Sequence, residues 1–143
     1  MILTRQTLPV IEREKDFDAS IILKGAYEVK KQDNPEYVII ATGSEVGLAL
    51  EVANDLAKTR VVSMPCVEVF NSQTKEFKEN LIPSNAKKIL IEAGTSFGWA
   101  GTVGSDALMI TIDSFGTSAP LVQIKKKFGF TKQQVLEKIK EHA

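Results

Sequence analysis

The sequence predicts an α/β domain: three layers, α/β/α, on a mainly parallel sheet of about five strands carrying one antiparallel edge strand. Three observations lead there. Tyr37–Ala41 (YVIIA) and Arg60–Met64 (RVVSM) are short runs rich in β-branched residues, as expected of strands covered on both faces. Between them Val46, Ala49, Leu50, Ala53, Leu56 and Ala57 recur as one stripe at helical period. The same alternation of strand and helix signals continues to the end of the chain, which places helices on both faces of one sheet.

The elements follow in order. Met1–Asp18 reads as a connector leaving an earlier structural unit, with the domain proper spanning 19–143. Its opening Ile2–Thr4 is a short apolar run ending at Arg5, followed by Pro9 and the charged stretch Glu12–Asp18. Ala26–Lys31 (AYEVKK) alternates like an exposed or edge strand, and Gln32–Pro35 (QDNP) is a turn by composition. After YVIIA, Thr42 and Glu45 have capping-box spacing and open a helix to about Lys58. Strand, helix and strand here form a crossover that should be parallel and right-handed. A short helix is expected near Thr74–Asn80 with Phe77 as its anchor, then strands at Lys87–Ala93 and Ala107–Asp113. The glycine-rich stretch between those strands, GTSFGWAGTVGS, reads as a loop. Pro120–Lys127 should be helical with Ser118 as a candidate cap. Thr131–Glu141 is the terminal helix, with Thr131 and Gln134 as a second capping box and Val135, Leu136 and Ile139 facing inward.

Composition excludes several functions. Lys plus Arg and Asp plus Glu balance at 18 each, so no net field favours nucleic acid or a membrane surface. No apolar run reaches the roughly 20 residues of a bilayer span, and the first residues lack a signal peptide's apolar region. The single cysteine, Cys66, rules out an intramolecular disulfide and fits a reducing, cytoplasmic setting; it has no histidine near it in sequence to make it a nucleophile. The only histidine is His142, beside the C-terminus, so histidine-dependent catalysis is not expected from this chain. No cluster has metal-ligand spacing, and Asp106 and Asp113 stand at opposite ends of one strand.

The remaining motifs divide between packing and binding. The Thr42-Gly43-Ser44-Glu45 turn offers free N–H groups, but it lacks dinucleotide glycine spacing and a P-loop lysine, and Glu45 would repel an anion there. Phe97 and Trp99, Phe115-Gly116, and Phe128-Gly129-Phe130 read as apolar packing groups, with Gly129 suited to a helix C′ position. Lys125–Lys127 is a solvated helix terminus that complements the dipole. Arg5 differs. It ends an apolar run and precedes Gln6, a placement that aims a guanidinium out of a sheet end toward a cleft, and Arg pairs with phosphate through a planar set of donors.

LTRQTLP at Leu3–Pro9, ATGSEVGLALE at Ala41–Glu51, SFGW at Ser96–Trp99, IDSFGTSAP at Ile112–Pro120 and FGFT at Phe128–Thr131 together resemble the C-terminal domain of transketolase, a thiamine-diphosphate enzyme. The resemblance covers nearly the whole chain; Cys66, Ala100 and Gly101 depart from the more usual residues. It implies a scaffold and dimer domain of an enzyme that transfers two-carbon ketol units between sugar phosphates in the pentose phosphate pathway. Thiamine diphosphate and its divalent metal (Mg or Ca), with the catalytic groups, would belong to two preceding domains, and Met1–Asp18 would leave the pyrimidine-binding one. The isolated fragment should then be inactive and bind no cofactor. The resemblance also implies that Arg5 binds the substrate phosphate, that the parent is a homodimer, and that neither nucleic acid nor membrane is a partner. Two other readings stay open: another thiamine enzyme, such as deoxyxylulose-phosphate synthase or a 2-oxoacid dehydrogenase subunit, and a stand-alone small-anion module at Thr42–Glu45 or Arg5.

Overall fold

The computed structural model describes residues 4, 6–13 and 15–142. A 3-10 helix at Ala19–Lys24 leads into β1 (Tyr27–Lys30), β2 (Tyr37–Ala41), α1 (Glu45–Ala53), β3 (Thr59–Ser63), α2 (Val67–Asn71) and α3 (Lys75–Leu81). β4 (Lys87–Ile91), α4 (Ala100–Val103), β5 (Leu108–Ile110), α5 (Leu121–Phe128) and α6 (Lys132–His142) follow. The strands form one sheet in the order β1-β3-β2-β4-β5. β2 pairs in parallel with β3 and β4, β4 with β5, while β1 runs antiparallel to β3 at the edge. The expected mixed sheet is therefore present.

Period-two alternation splits the strands between two cores. Val38, Ile40, Val62 and Leu90 face Phe70, Leu81, Trp99 and Val103 of the α2–α4 layer. Ile39, Val61, Ile89 and Ile91 face Val46, Ala49 and Val52 of α1 and Val135 and Ile139 of α6. This explains why YVIIA is apolar without interruption: both faces of β2 are dry. The winding also reverses at β2. From it the chain moves to β3 through α1 on one face, then returns past β2 to β4 through α2 and α3 on the other. The carboxyl ends of β2 and β4 thus flank a switch point, where α/β sheets present a crevice.

Several local expectations are corrected. α1 ends at Ala53, not near Lys58, because Asn54-Asp55 are poor helix formers and Lys58 adopts φ 51°. The Lys58 carbonyl then receives the Glu36 and Tyr37 N–H groups at 2.9 and 3.3 Å, which turns the chain into β3 and leaves Ala57 exposed. Two short helices, α2 and α4, were not expected. α2 is five residues long and depends on buried Phe70 rather than on any period of its own. β4 and β5 stop earlier than expected, although Glu92 N–H to Ile110 O (3.1 Å) and Ile112 N–H to Gly94 O (2.7 Å) prolong their pairing irregularly. In α3, Thr74 caps the helix through the Phe77 N–H at 3.2 Å. α5 closes on Gly129 at φ 81°, with Phe130 N–H reaching back to Lys125 O at 2.8 Å. Pro120, not Ser118, occupies its N-cap.

Candidate functional site

The carboxyl end of the sheet gathers most of the motifs. Thr42 follows β2 and Glu92 follows β4, and the Thr42 hydroxyl donates to the Glu92 carboxylate across the switch point. That bond replaces the expected capping box: Thr42 turns away from α1, and Ser44 at the N-cap makes no side-chain cap. Glu45 instead takes the Ser44 hydroxyl at 2.7 Å. Burial raises the Glu45 pKa above the usual carboxylate value; the Ser44 bond opposes this and the nearby charge of Glu92 adds to it. Two carboxylates therefore crowd this turn, which makes it a poor anion site despite its helix N-terminus.

Beside the turn lies a cleft of about 120 Å³ whose lining includes Gln6, Ser44, Glu45, Ile112, Leu121 and Lys125. Gln6 belongs to the entering segment. Its N–H donates to Thr4 Oγ1 at 3.2 Å. Arg5, the one site residue expected from sequence, lies outside the described residues. From Gln6 the chain passes Pro9, which touches α1 at Gly47, and Ile11, which packs against the α1–α6 core. It reaches Arg13, whose guanidinium donates to the Tyr27 hydroxyl at 2.8 Å.

A second cluster ties two loops together. Asp113 accepts the Ser96 N–H at 2.8 Å and the hydroxyls of Thr95 (2.9 Å), Ser96 (3.0 Å) and Thr111 (2.9 Å). These donors, the Ser96 N–H foremost, lower its pKa to about 2. The aromatics held near this clamp part company. Trp99 is buried at 9% exposure, whereas Phe97 is 90% and Phe115 100% exposed. Phe97 and Phe115 therefore take no part in this chain's own core, so any packing role for them would lie at an interface. Phe130 is buried and Phe128 half-buried, as expected.

The other candidates sit apart. Cys66 is half-buried with Sγ 3.4 Å from a Glu68 carboxylate oxygen. At the opposite end of the sheet Asp106 pairs with Lys88 at 3.3 Å, and His142 Nε2 lies 3.4 Å from the Asp106 carbonyl. Lys125, Lys126 and Lys127 are exposed at the end of α5. Among the described residues no group of three His, Cys, Asp or Glu could hold a metal ion, and no helix is long and apolar enough to cross a membrane.

Sequence reasoning missed Arg13, Glu92 and Arg60. Arg60, 8% exposed, donates to the carbonyls of Asn80 (2.6 Å), Leu81 (3.0 Å) and Gln32 (2.8 Å). Its Nε meets Glu28 at 2.5 Å as an ion contact rather than a well-directed hydrogen bond. A cation inside an otherwise apolar strand was the available signal for Arg60. Glu92 carried a weaker one, as the first charge after a buried strand.

A family model described as the transketolase-like TK C-terminal domain matches residues 25–131. The transketolase of Staphylococcus aureus (strain MW2) is 43% identical over 145 residues, covering 97% of this chain and 22% of that protein. The transketolase of Bacillus subtilis (strain 168) is 42% identical over 147 residues, with 98% and 22% covered. Among solved structures, transketolase from Campylobacter jejuni superimposes with a TM-score of 0.83 at 32% identity, over 96% of this chain and 21% of that one. Transketolase from Leishmania mexicana gives 0.80 at 34% identity, over 91% and 19%. The chain spans about a fifth of the length of the curated relatives it matches.

Proposed function

This chain belongs to the transketolase-like C-terminal domain family, and from that premise we propose that it completes a transketolase, transferring two-carbon ketol units between sugar phosphates in the pentose phosphate pathway. The observation that carries the reading is identity of 43% maintained over 97% of the chain, together with a matching fold. These comparisons agree with transketolase rather than with another thiamine enzyme or a stand-alone anion module. Residues 1–18 serve as the connector from a preceding pyrimidine-binding domain, and 19–143 as the scaffold. The partners are the preceding domains and a second copy of the protein; exposed Phe97, Phe115 and Val122 support such contacts. A cytoplasmic location is in keeping with the lone cysteine.

Thiamine diphosphate and a divalent metal supply the carbanion chemistry when bound, and no residue described here is assigned to them. This chain's direct contribution is Arg5. Its guanidinium pairs with the substrate phosphate, so the sugar is held in register with the reacting centre and less entropy is lost at the reaction step. The Thr4-Arg5-Gln6 and Leu8-Pro9 match supports that role. Replacing Arg5 by Ala in the full-length protein should lower kcat/KM for a phosphorylated acceptor about 10- to 100-fold, the value of one charge-assisted pair. An unphosphorylated aldehyde acceptor should be used as before. Unchanged kinetics with phosphorylated acceptors would remove Arg5 from the site, and ketol transfer absent in favour of pyruvate chemistry would remove the transketolase reading.

A further inference from the structure

Between Ala93 and Ile124 only Asp106 and Asp113 are charged, in a chain whose charged content is 25%. Both are already matched. Asp106 pairs with Lys88 at the opposite end of the sheet, and Asp113 accepts from Thr95, Ser96 and Thr111. What remains at the carboxyl end of the sheet is a surface without unmatched charge that exposes Phe97 and Phe115 almost completely, with Leu121 and Val122 further along it. Depletion of charge together with exposed aromatics is the composition of a protein–protein interface core, not of an ordinary solvated loop. The two rings alone offer roughly 300–500 Å² of contact area, about the largest apolar patch an ordinary monomer leaves open. They are also braced. Three hydrogen bonds of 2.8–3.0 Å from Thr95 and Ser96 to Asp113 join the loop after β4 to the loop after β5. Loops ordered in advance lose less entropy on docking.

We propose that this Asp113-braced surface is the seat on which the preceding polypeptide of the same full-length molecule docks, with Phe97 and Phe115 as its anchors. The inference rests on the reading of this chain as the last part of a transketolase. Two observations select that occupant over a second copy. The chain spans about a fifth of the length of its curated relatives, so most of such a protein lies outside these residues. The entering segment also runs to this surface: Gln6 lines a cleft with Ile112, Leu121 and Lys125, while Ile11 is packed against the α1–α6 core. Polypeptide preceding Gln6 is thus delivered beside the exposed apolar groups, at an effective concentration on the order of millimolar for a short tether. A second copy reaches the same surface only by mass action.

The test uses the full-length protein with the photoreactive p-benzoylphenylalanine in place of Phe115 and, separately, of Phe97; both sites are exposed, so this domain's own core is untouched. The same probe in place of exposed Lys140 is the control. Irradiation should give, from 115 and 97 but not from 140, a product of monomer mass cross-linked to peptides preceding residue 1. Independently, Phe115→Ala should speed hydrogen exchange at residues 95–98 about 10-fold, as expected for truncating one anchor of a docked surface. Phe115 is fully exposed within this chain, so exchange on the neighbouring loop can respond only if something covers both. A covalent dimer would make a second copy the occupant and overturn the proposal. Absence of a cross-link, cross-links confined to residues 1–143, or unchanged exchange would show an open surface and overturn it as well. Ketol transfer by the unsubstituted protein separates the two readings. With transfer present, any of these results removes this inference alone; with transfer absent, the transketolase reading fails and the choice of occupant fails with it.

Discussion

Replacing Gly25 by Ala tests the packing of the α2–α4 layer at a single atom. Gly25 ends the 3-10 helix at φ 86°, the left-handed region, which costs an L-residue about 1 kcal/mol. The added Cβ would also stand 2.4 Å from Phe70 N and 2.5 Å from Cys66 O, both backbone atoms of α2 and its cap. Neither can swing aside as a side chain end could. Relief requires α2 to move by roughly 1 Å, which loosens Phe70, only 1% exposed, and strains the Cys66 N–H to Gly25 O bond of 3.1 Å. Overpacking of this kind costs about 1–3 kcal/mol and a weakened hydrogen bond up to about 1. The total is about 2–5 kcal/mol, or roughly 7–16 °C in Tm for a chain of this length. Gly43→Ala is the control. It carries φ 45° but has no atom within 4 Å of its Cβ, so it should lose only about 1 kcal/mol. Urea unfolding followed by circular dichroism measures both. A difference below about 1 kcal/mol between them would show that α2 is not pressed against Gly25, and the reasoning would be wrong.

Two further outcomes are expected. Arg60→Ala strips three carbonyls and the Glu28 carboxylate of their cation, and should cost about 3–5 kcal/mol in urea unfolding; burial already raises the Glu28 pKa although Arg60 opposes it. The double variant Arg60→Met with Glu28→Gln should cost less than Arg60→Ala alone, and a larger loss in the double would refute the account. For Asp113 the folded pKa lies below the ordinary 3.8, at about 2, so its stabilisation is complete above about pH 4 and disappears as pH falls through about 2. Asp113→Asn should therefore lose its disadvantage relative to the parent between pH 5 and pH 2, read as converging Tm values; a constant gap over that range would contradict the clamp.

The layered fold was legible in the chain because its signals are local. YVIIA and RVVSM had to be covered on both faces, and the α1 stripe had one period to obey. Likewise Ala26–Lys31, alternating and charged, read as an exposed or edge strand, and the edge is where β1 pairs antiparallel with β3. The Thr131–Gln134 cap and the Gly129 terminus depended on residues within one turn of each other, and the Gln134 N–H to Thr131 Oγ1 bond (3.4 Å) and the left-handed Gly129 both formed. Where the reading failed, a distant partner had outbid a local one. Thr42 had the spacing for a capping box, but its hydroxyl instead meets the half-buried carboxylate of Glu92, fifty residues on. α2 had no period to reveal it and exists because Phe70 has a core to enter.

Sequence by itself determined the five strands, the longer helices and the family, since burial on two faces and turn chemistry write themselves into adjacent residues. Only the tertiary structure decided that Arg60 is buried among carbonyls, that Asp113 ties two loops, and that Pro9 lies on Gly47. Those pairings join residues far apart along the chain, and no local pattern encodes a distance that the folded sheet alone creates.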